Sequence, residues 1–180
     1  MVSYDFIRGT LVGNVVVAVS DKGLCAVKFG KRPLSIYVRK LFKMFPESEM
    51  RRDRAAVGPY RQEIVEYLEG KRTCFTRPID LCAVRGQFQR KVLRRCHRVP
   101  FGRLVSYGGL ASRAGSPGAA RAVGAAMAAN PLPIVVPCHR VIAAGGALGG
   151  YTGGLTYKRK LLALEGIPLY RGRVEKTRPH

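Results

Sequence analysis

The chain has 180 residues and a formal charge of +21, from 32 lysines and arginines against 11 aspartates and glutamates. Its 47% hydrophobic composition is enough for a folded core, which excludes a disordered basic protein, and its length suits one domain or two small ones. No apolar run approaches the roughly 18 residues that a bilayer-spanning helix needs, and the first residues lack a signal-peptide pattern. We therefore expect a folded cytoplasmic protein.

The distribution of charge and cysteine adds two expectations. Residues 1–85 carry a net charge of +7 and residues 86–180 carry +14, so the second half is expected to meet a polyanion. The five cysteines are an odd number and include no Cys-x-x-Cys pair of the kind that zinc ribbons use. We expect reduced thiols, no metal and no cofactor.

The first half predicts a sheet covered by two helices. A β-branched run over residues 9–20 predicts a strand, and residues 24–29 predict its antiparallel partner after a tight turn. Apolar residues then follow helical spacing over residues 36–45 and 60–68. Residues 73–81 are expected to supply a third strand.

The second half predicts a helix-turn-helix. A helix is expected from Gln87 to the residues before Pro100, and Ser106 is expected to cap a short helix over residues 107–114. After Gly115, the Ser116-Pro117 pair predicts the start of a longer helix that runs to about residue 129. A short helix, a tight turn and a longer helix form this motif.

The second helix of the motif is unusual for one that reads DNA bases. Arg121 is its one long polar side chain among alanines and glycines, whereas major-groove readout favours several arginines, asparagines or glutamines. Small side chains let a backbone approach DNA closely, and a single arginine suits insertion between base steps from the minor groove. A buried alanine-rich helix explains the same residues equally well.

A Cys-His pair, Cys138-His139, is the candidate for chemistry. A cysteine beside a histidine is a nucleophile candidate, although a buried core cysteine explains an isolated pair better. In extended backbone the two side chains would point to opposite sides, so His139 is expected to act on the thiol through a bridging water. The second half contains two acids, and Glu165, at the end of a predicted helix over residues 158–165, is the better candidate to orient the imidazole.

Several motifs stand in the order found in one protein family. They are FQRKVL at 88–93, SY at 106–107, AARAVG at 119–124, NP at 130–131, PCHRV at 137–141, YTGGL at 151–155 and LLALEG at 161–166. Through them the chain resembles the 6-O-alkylguanine-DNA alkyltransferases, also called methylated-DNA–protein-cysteine methyltransferases. The matches span nearly all of residues 87–166.

At residues 83–86 the composition shifts toward helix and positive charge, which places a domain boundary there and divides the chain into two domains and a basic tail. The resemblance implies an α+β fold for them. Residues 1–85 would form a ribonuclease H-like domain with a small antiparallel sheet and helices. Residues 86–170 would form the mainly helical catalytic domain, of the winged-helix, helix-turn-helix type, and residues 171–180 a basic tail. The resemblance also implies a monomer whose partner is double-stranded DNA containing alkylated guanine.

The implied activity is DNA repair by direct reversal. After minor-groove binding and base flipping, the Cys138 thiolate would take the methyl or alkyl group from 6-O-alkylguanine, once per molecule. Glu165 would orient His139, His139 would deprotonate Cys138 through water, and Asn130 would brace the turn that presents the thiol. The Tyr107 hydroxyl would protonate the departing guanine.

The resemblance assigns the remaining site residues by position. Arg121 would fill the vacated base stack, and the other DNA contacts would come from Tyr107, Ala120, Ala122 and Gly124. The carbonyl groups of Cys138 and Val141 would face the exocyclic amine of the guanine. The substrate pocket would be formed by Met127, Pro133, Val141, Tyr151, Thr152 and Lys158.

Two other functions fit part of the sequence. Alkyltransferase-like damage-binding proteins keep the helix-turn-helix and its arginine but lack the nucleophilic cysteine, which is present here as Cys138. A Cys-His hydrolase would turn over repeatedly and would have no use for a basic helix-turn-helix. Stoichiometric transfer of a label from DNA to the protein separates the three.

Overall fold

The computed structural model describes residues 1–174, which divide into two compact units. The first consists of Met1–Arg85 and Pro131–Val135, and the second of Gly86–Asn130 and the chain from Val136 onward. The expected division left residues 131–135 in the second part. They belong to the first because the Val27 N–H donates to the Pro131 carbonyl oxygen at 2.8 Å. No helix within residues 1–174 is both long and apolar enough to cross a membrane.

The first unit is built on a four-stranded sheet. Its strands are β1 (Val2–Thr10), β2 (Gly13–Ser20), β3 (Gly23–Gly30) and β4 (Met50–Arg52), in the order β3-β2-β1-β4. The predicted antiparallel pairing of β2 with β3 is present, and β4 lies parallel to β1. The single strand predicted over residues 9–20 is wrong, because a turn at residues 11–12, between Gly9 and Gly13 with φ of +67° and +89°, separates β1 from β2.

The third strand predicted over residues 73–81 is also wrong. This segment contributes one isolated bridge, between Leu24 and Ile79. The reason lies in Glu63, whose buried carboxylate accepts hydrogen bonds from both the backbone N–H and the hydroxyl of Thr76. This contact takes the Thr76 N–H away from strand pairing, so the pairing of the segment is limited to the bridge at Ile79.

Two helices complete the first unit. Helix α1 (Leu34–Met44) places Tyr37 and Leu41 in a core cluster with Val16 and Ala18 of the sheet. Helix α2 (Arg54–Leu68) begins six residues before the predicted start. Asp53 causes the earlier start, since its carboxylate caps the helix by accepting from the Ala56 N–H at 3.0 Å.

The second unit contains the predicted helix-turn-helix. Helix α3 (Gln87–His97) precedes α4 (Tyr107–Arg113), which Ser106 caps as expected by accepting from the Gly109 N–H at 2.9 Å. Helix α5 (Ala120–Ala128) starts three residues later than predicted. Gly118 has a φ of +84°, a conformation that cannot belong to a right-handed helix, so residues 116–119 form a turn instead.

The end of the second unit holds a final helix and two short pairs of strands. Helix α6 spans Leu155–Leu164, strand β5 (Val105–Ser106) pairs in parallel with β6 (Val141–Ile142), and β7 (Leu169–Tyr170) pairs with β8 (Arg173–Val174). The predicted tail over residues 171–180 therefore begins as a hairpin. Leu169 and Val174 pack against an apolar cluster, which holds these strands in place. The rest of that predicted tail, residues 175–180, lies outside the described residues.

Candidate active site

Glu165 is the centre of a buried hydrogen-bond network that lies within the second unit. It follows the last residue of α6 and is 5% exposed. Its carboxylate is 2.7 Å from His139 Nε2, and it accepts from Arg140 Nε and Nη2 at 2.8 to 3.0 Å and from the Gly102 N–H at 3.0 Å. Burial alone would raise the pKa of Glu165, but the hydrogen bonds and charges of His139 and Arg140 outweigh it and hold the pKa at about 2. The carboxylate is therefore ionised at neutral pH.

This ionised carboxylate determines which nitrogen of His139 carries the proton. A carboxylate only accepts hydrogen bonds, so Nε2 must be the N–H and Nδ1 the basic nitrogen of the neutral ring. His139 is fully buried, and burial lowers its pKa, with the positive charges of Arg140 and Lys158 adding to the effect against the pull of Glu165. At neutral pH the imidazole is uncharged and can accept a proton.

Cys138 precedes this histidine in a short 3-10 turn, Cys138–Arg140, and not in the extended backbone predicted from the sequence. The turn forms because the Arg140 N–H donates to the Pro137 carbonyl oxygen at 2.9 Å. Burial raises the pKa of the Cys138 thiol, and hydrogen bonds from Asn130 and Tyr151 together with the charge of Lys158 offset part of that rise. The resting group is thus a thiol, which needs a base to become a nucleophile.

Asn130 lies where the predicted bracing role would require it. Its side-chain N–H donates to the Val136 carbonyl oxygen at 2.9 Å, two residues before the thiol. The residue is 7% exposed, so water does not compete strongly for this bond. The amide thereby joins the end of α5 to the segment that presents Cys138.

Lys158 is a buried cation on α6 beside the same segment. Its ammonium group donates to the carbonyl oxygens of Val141, at 2.6 Å, and of Leu148 and Gly150. Burial lowers its pKa to about 8, while attraction to the sulfurs of Cys138 and Cys96 acts in the opposite direction. At neutral pH Lys158 is therefore a positive charge near the thiol, held by backbone oxygens.

A cavity of about 600 Å³ opens onto the thiol. This volume lies in the range of sites for small organic ligands. Six residues predicted for the site contribute to its wall, and Ala128 and Gly150 complete it. The six are Tyr107, Gly124, Met127, Cys138, Tyr151 and Thr152.

The Tyr107 ring lies at this cavity in space that the absence of a side chain on Gly149 leaves open. Gly149 has a φ of +67°, and a Cβ atom added to it would come within 2.8 Å of the Tyr107 ring. The tyrosine hydroxyl donates to the Gly150 carbonyl oxygen at 3.4 Å. Burial, followed by the nearby Cys138, raises the pKa of Tyr107, so the phenol keeps its proton at neutral pH.

A second, shallower concavity lies over the start of α5. Its wall includes Tyr107, Ala120, Arg121 and Gly124, four of the five residues predicted to contact DNA. On α5, Val123, Ala126 and Met127 are buried, whereas Arg121 and Ala122 are exposed. Burial therefore accounts for only one face of this alanine-rich helix, and its solvent face is open to a partner.

Three residues predicted for the pocket are not among those that line this cavity. Pro133 belongs to the first unit, and Val141 and Lys158 are buried. The Val141 carbonyl accepts from Lys158, and the Cys138 carbonyl accepts from the Val141 N–H, so both oxygens that were expected to face the guanine amine already have partners. Their contact with guanine stays a prediction.

Arg140 is the functional residue that sequence reasoning missed. Its guanidinium binds Glu165 through two nitrogens, and Nη1 donates to the Val99 carbonyl oxygen at 2.5 Å. The available signal was its place directly after the Cys-His pair. The sequence did not reveal its partner, because Glu165 lies 25 residues further along the chain.

The chain is similar to known proteins along most of its length. Residues 87–167 match the family model described as 6-O-methylguanine DNA methyltransferase, DNA binding domain, and residues 3–81 match its ribonuclease-like domain. The inducible methylated-DNA–protein-cysteine methyltransferase of Bacillus subtilis is 42% identical over 152 residues, 84% of each chain. A methylated-DNA–protein-cysteine methyltransferase of Methanosarcina acetivorans is 36% identical, over 86% of this chain and 93% of that one.

A solved structure is similar to this chain in its three-dimensional fold as well. The Mycobacterium tuberculosis OGT in complex with DNA superposes with a TM-score of 0.75 and 35% identity, over 91% of this chain and 92% of that one. The predicted α+β fold, with a ribonuclease-like part followed by a DNA-binding part, is confirmed.

Proposed function

Because the chain belongs to the 6-O-methylguanine DNA methyltransferase family, we propose that its cavity receives an alkylated guanine flipped out of duplex DNA and that Cys138 accepts the alkyl group. The chain is an enzyme of direct-reversal DNA repair, a methylated-DNA–protein-cysteine S-methyltransferase whose partner is double-stranded DNA. The assignment of individual residues to its steps is our proposal. The observation that carries it is the opening of the cavity onto a buried thiol whose neighbour, His139, is bound to an ionised glutamate.

The transfer begins with proton removal from Cys138. His139 Nδ1 takes the proton through one bridging water, and the resulting imidazolium is stabilised by Glu165 at Nε2. Arg140 binds the same carboxylate and balances its charge, so the imidazole stays neutral until it accepts the proton. The cation of Lys158 favours the thiolate as it forms.

The thiolate then attacks the alkyl carbon on the guanine oxygen. A carbon–sulfur bond forms while the carbon–oxygen bond breaks, and the bonding pair stays with the guanine ring. Tyr107 is protonated at neutral pH before the reaction, and its phenol donates this proton to the departing ring. The thioether on Cys138 is stable, so each molecule acts once.

The base reaches the cavity only after leaving the duplex. Flipping a nucleotide costs a few kcal/mol of unstacking, and the exposed face of α5 suits this task in the minor groove. Its alanines and Gly124 allow close approach, and Arg121 fills the space that the base vacates. We place this activity in the cytoplasm, and this location stays a prediction from the sequence.

The experiment that tests the proposal follows a label. Duplex DNA with one labelled methyl group on a guanine oxygen is incubated with the wild-type protein and with Cys138→Ala, and the label on protein is measured. We expect one label per wild-type molecule, none on the variant, and a labelled peptide that contains Cys138. Label released as free product would indicate a hydrolase, and binding without transfer would indicate a damage-binding protein.

A further inference from the structure

A groove along α3 is a second charged surface that the proposed chemistry does not use. Its volume is about 600 Å³, and it is lined by five cationic side chains together with Gln87, Phe88 and Ser116. The cations are Arg90, Lys91, Arg94, Arg95 and Arg98. We call this surface the α3 groove.

The helix itself arranges these cations on one side. Val92, Leu93 and Cys96 are buried on the opposite side of α3, so the five charged residues are exposed along the solvent side. Arg90, Arg94 and Arg98 are four residues apart, which places successive members about 6 Å apart and the outer two about 12 Å apart. This length suits a chain of phosphates better than a single anion.

The protein offers these cations little internal compensation. Among residues 86–174 the sequence contains one carboxylate, Glu165, which is buried and bound to His139 and Arg140. None of the salt bridges found in residues 1–174 involves Lys91, Arg94, Arg95 or Arg98. A cluster of like charges without acids creates a positive potential that attracts a polyanion.

The groove also lies close to the DNA-reading motif. Ser116, in the turn between α4 and α5, forms part of its wall, and the Lys91 amine lies 3.1 Å from where a Cβ atom on Gly115 would stand. Arg121 and the rest of the concavity over α5 share no residue with the α3 groove. The groove is thus a separate surface at the same helix-turn-helix.

We propose that the α3 groove binds the phosphate backbone of DNA outside the lesion and so extends the contact made by α5. The proposal rests on the proposed function, because the same unit must already hold DNA. Arg94, Arg95 and Arg98 supply three cations, so we expect them to neutralise up to three phosphates of a duplex strand. Such contacts carry no sequence information, which suits an enzyme that must search any sequence.

The test compares two triple variants with equal loss of charge. One is Arg94→Gln, Arg95→Gln, Arg98→Gln in the groove, and the matched control is Arg39→Gln, Lys40→Gln, Lys43→Gln, three exposed cations of α1. The affinity for an unmodified duplex of about 20 base pairs is measured by fluorescence anisotropy between about 50 and 200 mM salt. Transfer from the free alkylated base measures the chemistry without DNA.

Each lost phosphate contact lowers the slope of log affinity against log salt by about 0.9, so three lower it by about 2.7. Over a fourfold range of salt, the wild-type affinity should therefore fall about 40-fold more than that of the groove variant. The control variant should keep the wild-type slope, and all three proteins should react equally with the free base. Replacing the three arginines by lysine should restore the wild-type slope.

Two results would overturn the proposal. The first is a groove variant with the slope of the control, and the second is a groove variant that loses affinity for an RNA of the same length but not for DNA. If the triple variant does not fold, the single variant Arg94→Gln replaces it, with an expected fall in slope of about 0.9. The labelling experiment tests the proposed function independently of the α3 groove. If the proposed function is wrong, wild-type Cys138 will not be labelled, whatever the slopes of log affinity against log salt.

Discussion

Replacement of Arg140 by methionine tests the buried network most directly. In the wild-type protein the Glu165 carboxylate binds the guanidinium, the imidazole of His139 and the Gly102 N–H. Methionine fills a similar volume but leaves the buried carboxylate with only the last two partners. It also leaves the Val99 carbonyl oxygen without the hydrogen bond that Arg140 donates.

The expected cost follows from the pKa of Glu165. The network lowers that pKa from 4.5 to about 2, which at 1.36 kcal/mol per pH unit corresponds to about 3 kcal/mol in favour of the ionised form. Removing one partner of a buried ion pair typically costs about 3 to 5 kcal/mol. We therefore expect Arg140→Met to lower the free energy of unfolding by about 3 kcal/mol at pH 7.

The pH dependence has a definite sign. A carboxyl with a lowered pKa stabilises the folded state above its unfolded pKa of 4.5, and this stabilisation is lost as the pH falls toward 2. The wild-type protein should lose stability over that range. Arg140→Met raises the folded pKa of Glu165 toward 4.5, so its loss of stability should be smaller and should be complete at a higher pH than in the wild type.

The assay is urea denaturation at pH 7 and pH 3, followed by far-ultraviolet circular dichroism because the chain has no tryptophan. Arg159→Met, an exposed arginine of α6, is the matched control and should change the stability little. Arg140→Lys keeps the charge but loses the two-nitrogen contact, so its stability should be intermediate. A loss below about 1 kcal/mol for Arg140→Met would refute the assigned role of the network.

Three further substitutions test single steps. Arg121→Ala should slow repair of duplex DNA and leave transfer from the free base unchanged in single-turnover assays, with Arg113→Ala as control; equal slowing on both substrates would contradict its role in flipping. Tyr107→Phe removes the proposed proton donor and should slow transfer by about 10² to 10⁴, so an unchanged single-turnover rate would exclude this donor. Lys158→Met removes the cation that lowers the pKa of Cys138, so the pH profile of Cys138 alkylation by iodoacetamide should shift to higher pH. Lys160→Met, on the same helix, should leave that profile unchanged. An equal shift in both variants would mean that the loss of any nearby positive charge has this effect, and would contradict a specific role for Lys158.

The sequence alone determined the features that depend on neighbouring residues. Ser106 caps α4, Gly115 ends the first helix of the motif, and the β2-β3 pairing follows from its strands and turn. These are interactions over a few residues, so their signals lie within a short window of sequence. The family resemblance also rested on motifs in order, and the comparisons confirmed it.

Tertiary structure decided what depends on distant partners. Thr76 binds Glu63 instead of joining a strand, and Leu169 and Val174 close a hairpin where a tail was predicted. Arg140 meets Glu165 across 25 residues, and this contact sets the charge state of the site. The identity of Cys138 as a candidate nucleophile could thus be read from the sequence. The burial that keeps it a thiol, and the network that keeps its base neutral, exist only once the chain has folded, because both arise from charges and hydrogen bonds brought together away from water.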